Sequence, residues 1–302
     1  MNTIEVKDIT KSYEKGKVTA LKNVSFNVGK GELFGLIGPD GAGKTTIFRL
    51  LTTLLIPDSG EAKVLGYDIV KDYKQIRNLV GYMPGKFSLY ADLTIEENLN
   101  FFATLFGTTI EENYHLIKDI YEQIAPFKKR RAGKLSGGMK QKLALCCALI
   151  HKPEVLFLDE PTTGIDPVSR VELWDMLQKL KTEGITILAS TPYMDEAVRC
   201  DRVALIKEGE ILNIDTPDNI TGQFNKKLYA IKAGNMYALL KALKQYPETV
   251  NSYAFGEYAH VIVNGDVENL KSFLEKQGIS GIEVRNTLPT IEDTFIAESY
   301  KP

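Results

Sequence analysis

The sequence is poor in cysteine, and what it has does not form a pairing pattern. Three cysteines occur among 302 residues, two of them adjacent at Cys146 and Cys147 and the third alone at Cys200. The number is odd and no C-x-x-C pair is present. This pattern is typical of reduced thiols in a cytosolic compartment rather than of a disulfide framework.

Long apolar runs and an excess of one charge are also lacking. No run approaches the ~20 apolar residues of a membrane helix, and residues 1–5 are polar rather than signal-like. Thirty-seven Lys and Arg residues face 39 Asp and Glu residues, for a net charge of −2. This balance argues against nucleic acid as a partner. A role at a membrane would therefore require a partner protein.

A glycine-rich loop stands between an apolar run at residues 33–37 and a predicted helix at residues 47–51. The loop matches G-x-x-x-x-G-K-[ST]. In this pattern, backbone N–H groups, a helix amino terminus and the lysine bind phosphate oxygens, and the hydroxyl binds Mg²⁺. The predicted phosphate-binding residues are Gly38, Pro39, Asp40, Gly41, Ala42, Gly43, Lys44, Thr45 and Thr46.

Two carboxylates follow a second apolar run. Residues 155–158 predict a buried strand, and Asp159 and Glu160 come directly after it. A carboxylate at the first position can hold Mg²⁺, and one at the second can orient or deprotonate an attacking water. The pair is a weak signal alone, but it gains weight in a chain that carries a phosphate loop.

A second anion-binding helix start is predicted between these two motifs. Ser136 can cap a helix that runs through residues 143–149. Two glycines in the first turn leave its backbone N–H groups accessible. The segment consists of Leu135, Ser136, Gly137, Gly138 and Met139.

From about residue 221 the pattern changes to strand, helix, strand, strand, helix, strand, the ferredoxin-like order. The predicted segments are 227–231, 236–243, 249–255, 259–263, 267–276 and 282–286, with a last helix near 291–298. This tail contains no catalytic motif. His260 lies on a predicted strand and is interpreted as a packed or exposed residue rather than a metal ligand.

These motifs, in this order, resemble the nucleotide-binding subunit of an ATP-binding cassette (ABC) transporter over about residues 3–217. The resemblance implies an α/β fold with a RecA-like P-loop NTPase core, an antiparallel β subdomain and a helical insert at about 86–152. Residues 1–220 would then form the ATP-binding domain, and residues 221–302 a small α+β accessory domain. ATP and Mg²⁺ are the implied ligands.

The resemblance also assigns roles to single residues. Tyr13, at the end of a predicted strand, would stack on adenine, although taken alone a tyrosine at a strand end is more often a packing residue. The remaining roles are Glu160 as catalytic base, Thr45 and Asp159 as Mg²⁺ ligands, Leu135 to Met139 as the signature that contacts a partner's ATP, and Ile165 and Asp166 as the D-loop.

Two positions depart from the family pattern. Gly85 stands where the family has a glutamine (the Q-loop), and it has no side chain to reach Mg²⁺ or the attacking water. Pro192 stands where the family has a histidine (the H-loop), and proline has neither a ring nitrogen to position water nor an N–H donor. Both losses affect the site built on this chain's own phosphate loop. We therefore expect weak hydrolysis there and an intact signature for the opposite site.

The resulting hypothesis is an ATP-binding subunit of an exporter, similar to the first ATPase half of exporters whose two ATPases differ. Its expected partners are a second, non-identical ABC ATPase domain and an integral-membrane permease, with no nucleic acid. Its expected location is cytoplasmic and peripheral to the cell membrane. Two alternatives stay open at this point: a soluble ABC ATPase acting in translation or DNA repair, and a purely regulatory nucleotide-binding module.

Overall fold

The computed structural model of the protein describes residues 2–299, the side chain of Lys15 excepted. The chain divides into two compact units, Met1–Pro217 and Asp218–Pro302. The strands of the first unit are β1 (Asn2–Tyr13), β2 (Val18–Gly29), β3 (Leu33–Ile37), β4 (Ser59–Val64), β5 (Tyr67–Asp68), β6 (Val80–Met83), β7 (Val155–Asp159), β8 (Thr186–Thr191), β9 (Arg202–Lys207) and β10 (Glu210–Asp215). Its helices are α1 (Lys44–Leu51), α2 (Tyr73–Leu79), α3 (Ile95–Leu105), α4 (Tyr114–Ile124), α5 (Gly137–Leu149) and α6 (Pro167–Thr182), and α7 (Pro217–Gly222) crosses the boundary between the units.

A six-stranded sheet in the order β10-β9-β3-β8-β7-β6 forms the centre of the first unit. Every neighbouring pair is parallel except β9 with β10. Strands β3, β7 and β8 are buried along their whole length, as expected for parallel strands covered on both faces. The carboxyl ends of β3, β6, β7 and β8 therefore meet at one edge of the sheet.

A second sheet in the first unit is antiparallel, in the order β2-β1-β4-β5. One hydrophobic cluster contains side chains from both sheets and from α1. Phe26 on β2 stacks on Phe34 on β3 with ring centroids 5.7 Å apart, and Phe48 on α1 contacts Phe157 on β7 edge to face. These features confirm the predicted α/β class with an antiparallel subdomain.

Helices α3, α4 and α5 lie between β6 and β7 in the chain. The spacing of Thr94 and Glu97 in the sequence predicts a capping box, and the two residues form one at the start of α3. The apolar pattern of the sequence predicts a helix from Ile110 to Ile124, but α4 begins at Tyr114, four residues later. The reason is local: the Thr108 hydroxyl donates to Glu112 at 2.6 Å, and this side-chain contact favours a turn over a first helical turn.

The second unit has the predicted ferredoxin-like order. Its strands are β11 (Lys227–Lys232), β12 (Thr249–Phe255), β13 (Tyr258–Val263) and β14 (Glu283–Asn286), and its helices are α8 (Met236–Leu243), α9 (Val267–Lys276) and α10 (Ile291–Ser299). The sheet order is β12-β13-β11-β14, with all neighbours antiparallel. Val261 and Val263 pack with α8 and α9, whereas Ile262 packs with Ala297 on α10. Because side chains alternate along a strand, α8 and α9 cover one face of the sheet and α10 covers the other.

Asp293 fixes the start of α10 to the sheet and is fully buried. One carboxylate oxygen accepts a hydrogen bond from Tyr253 and lies 2.6 Å from Nδ1 of His260. The other accepts the N–H and the hydroxyl of Thr290 at 2.7 and 2.6 Å. Burial raises the pKa of Asp293, but the hydrogen bonds from Thr290, Tyr253 and His260 outweigh it and hold the pKa below its usual value. Of the two interpretations that the sequence left open for His260, packed or exposed, the structure shows the packed one.

Replacing Asp293 by asparagine should destabilise the second unit by about 1–3 kcal/mol near neutral pH, because a charged acceptor of several hydrogen bonds is lost. A lowered carboxyl pKa gives stability that is present above the unfolded-state value of about 4 and lost as pH falls through the folded-state value. The difference between wild type and Asp293→Asn should therefore shrink below pH ~4. Urea denaturation followed by NMR signals of β13 measures it, and a difference that is constant with pH would contradict this account.

Among the described helices, none combines the length and the apolar composition that crossing a bilayer requires.

Candidate functional site

The phosphate loop joins β3 to α1 at the carboxyl edge of the six-stranded sheet. Gly43 precedes α1 with φ of 105°, a conformation that favours glycine. Gly38 needs its small size for another reason, since a Cβ atom there would lie 2.1 Å from the carbonyl oxygen of Ile206. The loop borders a cleft of about 150 Å³ that Lys44, Thr45 and other loop residues line. A larger cavity of about 630 Å³ lies near the amino ends of β3, β7 and β8, away from this loop.

Lys44 is 3% exposed and has three partners in this cleft. Its ammonium group donates to the carbonyl oxygens of Gly38 at 2.8 Å and Pro39 at 3.0 Å. It also lies 3.1 Å from a carboxylate oxygen of Glu160. A lysine held this way is a fixed point charge beside the loop N–H groups, and Glu160 is its only described anionic partner among residues 2–299.

Asp159 ends β7 and is 2% exposed. Its carboxylate accepts a hydrogen bond from the Ser190 hydroxyl at 2.9 Å, and the Thr45 hydroxyl faces it closely enough to lower its pKa. Burial raises the pKa of Asp159, with Glu160 acting in the same direction, while the two hydroxyls and Lys44 oppose the shift. The oxygens of Thr45 and Asp159 thus meet where a cation would relieve the cost of a buried carboxylate.

Glu160 follows the strand in a left-handed backbone conformation, with φ of 54°. Its N–H donates to Ser190 Oγ at 3.0 Å, and its carboxylate accepts from the Thr163 hydroxyl at 3.3 Å. A non-glycine residue with positive φ is held by its surroundings and occurs often at functional sites. Here the turn aims the Glu160 side chain at Lys44.

Tyr13 at the end of β1 is half-buried and shares a hydrogen bond of 3.2 Å with the hydroxyl of Thr46 in the phosphate loop. The two readings of this tyrosine from the sequence, packing and stacking on a base, are both compatible with this contact. It places the ring next to α1.

The signature segment begins α5. Leu135 is buried, and Ser136 is an exposed N-cap whose hydroxyl accepts the N–H of Met139 at 3.4 Å. A Cβ atom on Gly137 would lie 2.8 Å from the carbonyl oxygen of Gly164. The start of α5 therefore packs directly on the turn that carries Gly164, Ile165 and Asp166.

Asp166 is the N-cap of α6. Its carboxylate accepts the N–H groups of Val168 and Ser169 at 3.1 and 3.0 Å and the Ser169 hydroxyl at 2.7 Å. The backbone and side-chain hydrogen bonds from Ser169 lower the pKa of Asp166. This predicted D-loop residue thus orders the turn between β7 and α6.

Gly85 and Pro192 follow β6 and β8 at the same edge of the sheet. A Cβ atom on Gly85 would lie 3.0 Å from the carbonyl oxygen of Asp159, so residue 85 passes next to the end of β7. Pro192 is half-buried and follows Thr191 directly. Any side chain at residue 85 would therefore start beside Asp159.

Ser190 is a site residue that the sequence did not single out as one. It is opposite Asp159 in the β7–β8 register, and it donates to Asp159 and accepts from Glu160. The sequence did contain an indication of this role. Asp159 and Ser190 both lie at the ends of apolar runs that predict buried parallel strands, so their side chains could meet. What the sequence does not give is which strands are neighbours.

Comparison with known proteins decides the family. Residues 21–163 match the ABC transporter family. Nod factor export ATP-binding protein I of Rhizobium sp. (strain N33) is 32% identical over 297 residues, covering 97% of this chain and 95% of that protein. The chain belongs to the ABC transporter family.

Two further comparisons show how much of this chain resembles known proteins of the family. The ABC transporter ATP-binding protein YbhF of Escherichia coli (strain K12) is 43% identical over 271 residues, which are 88% of this chain and 46% of that protein. The chain thus spans about half the length of this relative. The dimeric structure of MJ0796, a bacterial ABC transporter cassette, aligns with a TM-score of 0.64 and 27% identity over 70% of this chain and 98% of that one.

Proposed function

We propose that the chain is the ATP-binding subunit of an export-type ABC transporter. The observation that carries this proposal is the meeting of Lys44, Thr45, Asp159 and Glu160 beside the phosphate loop. Export is supported by the Nod factor relative, an export ATP-binding protein that aligns over nearly the whole of both chains.

The phosphates of ATP fit the loop, because it offers backbone N–H groups, the start of α1 and the Lys44 ammonium. The hydroxyl of Thr45 and the carboxylate of Asp159 are oxygen donors suited to Mg²⁺, which would neutralise phosphate charge when bound. Phosphate oxygens would replace Glu160 as the partner of Lys44. Glu160, once released, could accept a proton from the attacking water.

Hydrolysis in this chain's own site is proposed to be weak. A base needs a water held in line, and Gly85 and Pro192 supply no side-chain donor or acceptor to hold it. Nucleotide binding does not depend on these two positions. The site should therefore bind ATP well and turn it over slowly.

The signature is proposed to complete a competent ATP site on a second, non-identical cassette. Ser136 caps the exposed start of α5. Gly137 and Gly138, the first two residues of the helix, place no side chain over its first backbone N–H groups. We further propose that an integral-membrane permease anchors the pair at the cytoplasmic face of the membrane. Residues 1–220 would be the ATP-binding domain, with 86–152 as its helical subdomain and 221–302 as an accessory domain.

Restoring the missing side chains tests the weak-site proposal. The variant Gly85→Gln with Pro192→His should hydrolyse ATP at least ~10-fold faster than wild type when purified alone, since a positioned acid or base contributes ~10²–10⁴-fold. Steady-state phosphate release at saturating Mg-ATP measures the rate.

The matched control is Gly85→Ala with Pro192→Ala. It introduces the same Cβ beside the Asp159 carbonyl oxygen but no positioning group, so its rate should stay at the wild-type level. A restored variant that folds and binds ATP without any gain over this control would overturn the proposal.

A further inference from the structure

Glu196 is a buried carboxylate that the proposed chemistry does not use. It lies in the 3₁₀ turn Met194–Arg199 after β8 and is 4% exposed. A buried carboxylate is costly unless several donors satisfy it. Each of its donors comes from a different segment of the first unit.

The first two donors are threonine hydroxyls on one carboxylate oxygen. Thr162, fully buried in the turn after Glu160, donates to Oε2 at 2.9 Å. Thr191, fully buried at the end of β8, donates to the same oxygen through a short hydrogen bond. Glu196 therefore joins the end of β8 to the turn at residues 161–166.

The third donor is a guanidinium group. Arg170 in the first turns of α6 donates through Nε to the other oxygen of Glu196 at 2.9 Å. The same guanidinium lies over the ring of Tyr193, 3.9 Å from its centroid, and 3.6 Å from Asp195. Glu196 thus contacts Thr162 near the start of the turn at residues 161–166 and Arg170 just after its end.

This turn is the surface on which the start of α5 packs. The Gly164 carbonyl lies within 2.8 Å of a Cβ position on Gly137, and Ser169 Oγ within 3.2 Å of one on Gly138. The start of α5 therefore packs closely on the turn and on the first turn of α6, and a close-packed contact transmits a displacement of the turn to α5.

We propose that Glu196 is a positioning residue that holds the turn at residues 161–166 against the start of α5, and so sets how the signature meets the nucleotide of a partner cassette. This role rests on the proposed function. It differs from the role of Ser190, which holds Asp159 and Glu160 in the chain's own site. The end of β8 and the 3₁₀ turn after it would therefore support both sites, Ser190 the chain's own site and Glu196 the partner's.

The test replaces Glu196 by glutamine, which keeps the shape but cannot serve all three donors. If its oxygen accepts from Thr162 and Thr191, its amide N–H groups face the Arg170 guanidinium. Thr162→Val removes one donor from the other side, and Thr162→Ser keeps the hydroxyl as the matched control. We expect Glu196→Gln and Thr162→Val, but not Thr162→Ser, to raise hydrogen exchange of the 161–170 and 137–142 amides roughly 10-fold, with β3 unchanged.

The second readout is activity in the complex with the partner cassette and permease. Glu196→Gln and Thr162→Val should lower kcat ~10-fold to 100-fold, because a small misplacement near reacting groups is costly. The Kd of the chain alone for Mg-ATP should stay within about twofold, since no phosphate-loop residue changes. A merely structural role would weaken ATP binding and kcat together.

The outcomes separate the two proposals. Unchanged exchange at residues 161–170 in Glu196→Gln overturns the positioning role, whatever the activity. Loss of kcat with an equal loss of ATP affinity overturns it as well. A wild-type complex without ATP-dependent turnover overturns the proposed function instead, and the exchange measurement on the chain alone still decides the role of Glu196.

Discussion

Lys44→Ala is expected to weaken binding of Mg-ATP to this chain roughly 10-fold to 100-fold, the range of a hydrogen bond to a charged group. Lys44 is 3% exposed, and two loop carbonyls fix its ammonium group, so the charge is in place for phosphate before the ligand binds. Its loss also leaves Glu160 without its cation and adds a repulsion toward phosphate. Isothermal titration of the full chain gives the Kd.

A surface lysine provides the control. Lys7 is well exposed and pairs loosely with Glu61 at 3.5 Å, so Lys7→Ala should bind ATP as wild type does. Circular dichroism of both variants shows that they fold. Equal affinity of folded Lys44→Ala and wild type would show that the loop is not the nucleotide site.

Ser136→Arg in this chain is expected to reduce ATP hydrolysis by the complex to background, whereas Glu160→Gln in this chain should reduce it much less. Ser136 is exposed at the start of α5, where an arginine would fill the space that a partner's phosphates need. Glu160 serves the site in which residues 85 and 192 supply no side-chain donor or acceptor, and that site should contribute little turnover. Removing a base from a competent site would cost ~10²–10⁴-fold.

Ser136→Thr separates the two effects of the arginine variant. The substitution keeps a capping hydroxyl, worth about 0.5–2 kcal/mol to the helix, and should retain most of the activity. Phosphate release from the four complexes is the measurement. If Glu160→Gln abolished activity while Ser136→Arg spared it, the roles of the two sites would be reversed.

The phosphate loop shows how far the sequence could predict the site. Apolar runs before Gly38 and Asp159 predicted β3 and β7, because a fully buried parallel strand needs a continuous apolar stretch. The N-cap Ser136 was equally local, since a cap acts within three residues of its own chain. The proximity of Thr45 and Asp159 could not be predicted in this way, because it depends on the position of β7 two strands from β3 in the sheet.

Tertiary contacts account for what the sequence did not predict. Nothing near Lys44 indicates that Glu160 holds it, and nothing near Glu196 indicates that Thr162 and Arg170 share its carboxylate. These contacts depend on the strand order β3-β8-β7, which periodicity does not specify. The start of α4 was predicted four residues too early for a local reason. The hydrogen bond from Thr108 to Glu112 stabilises a turn there instead of a first helical turn.

The measurement that tests the account most directly is steady-state phosphate release by this chain alone at saturating Mg-ATP, with binding verified in the same preparation. The account predicts tight binding and release barely above background, because Lys44 and Thr45 are in place while residues 85 and 192 offer nothing to hold the water. Vigorous hydrolysis by the chain alone, removed by Glu160→Gln, would contradict it.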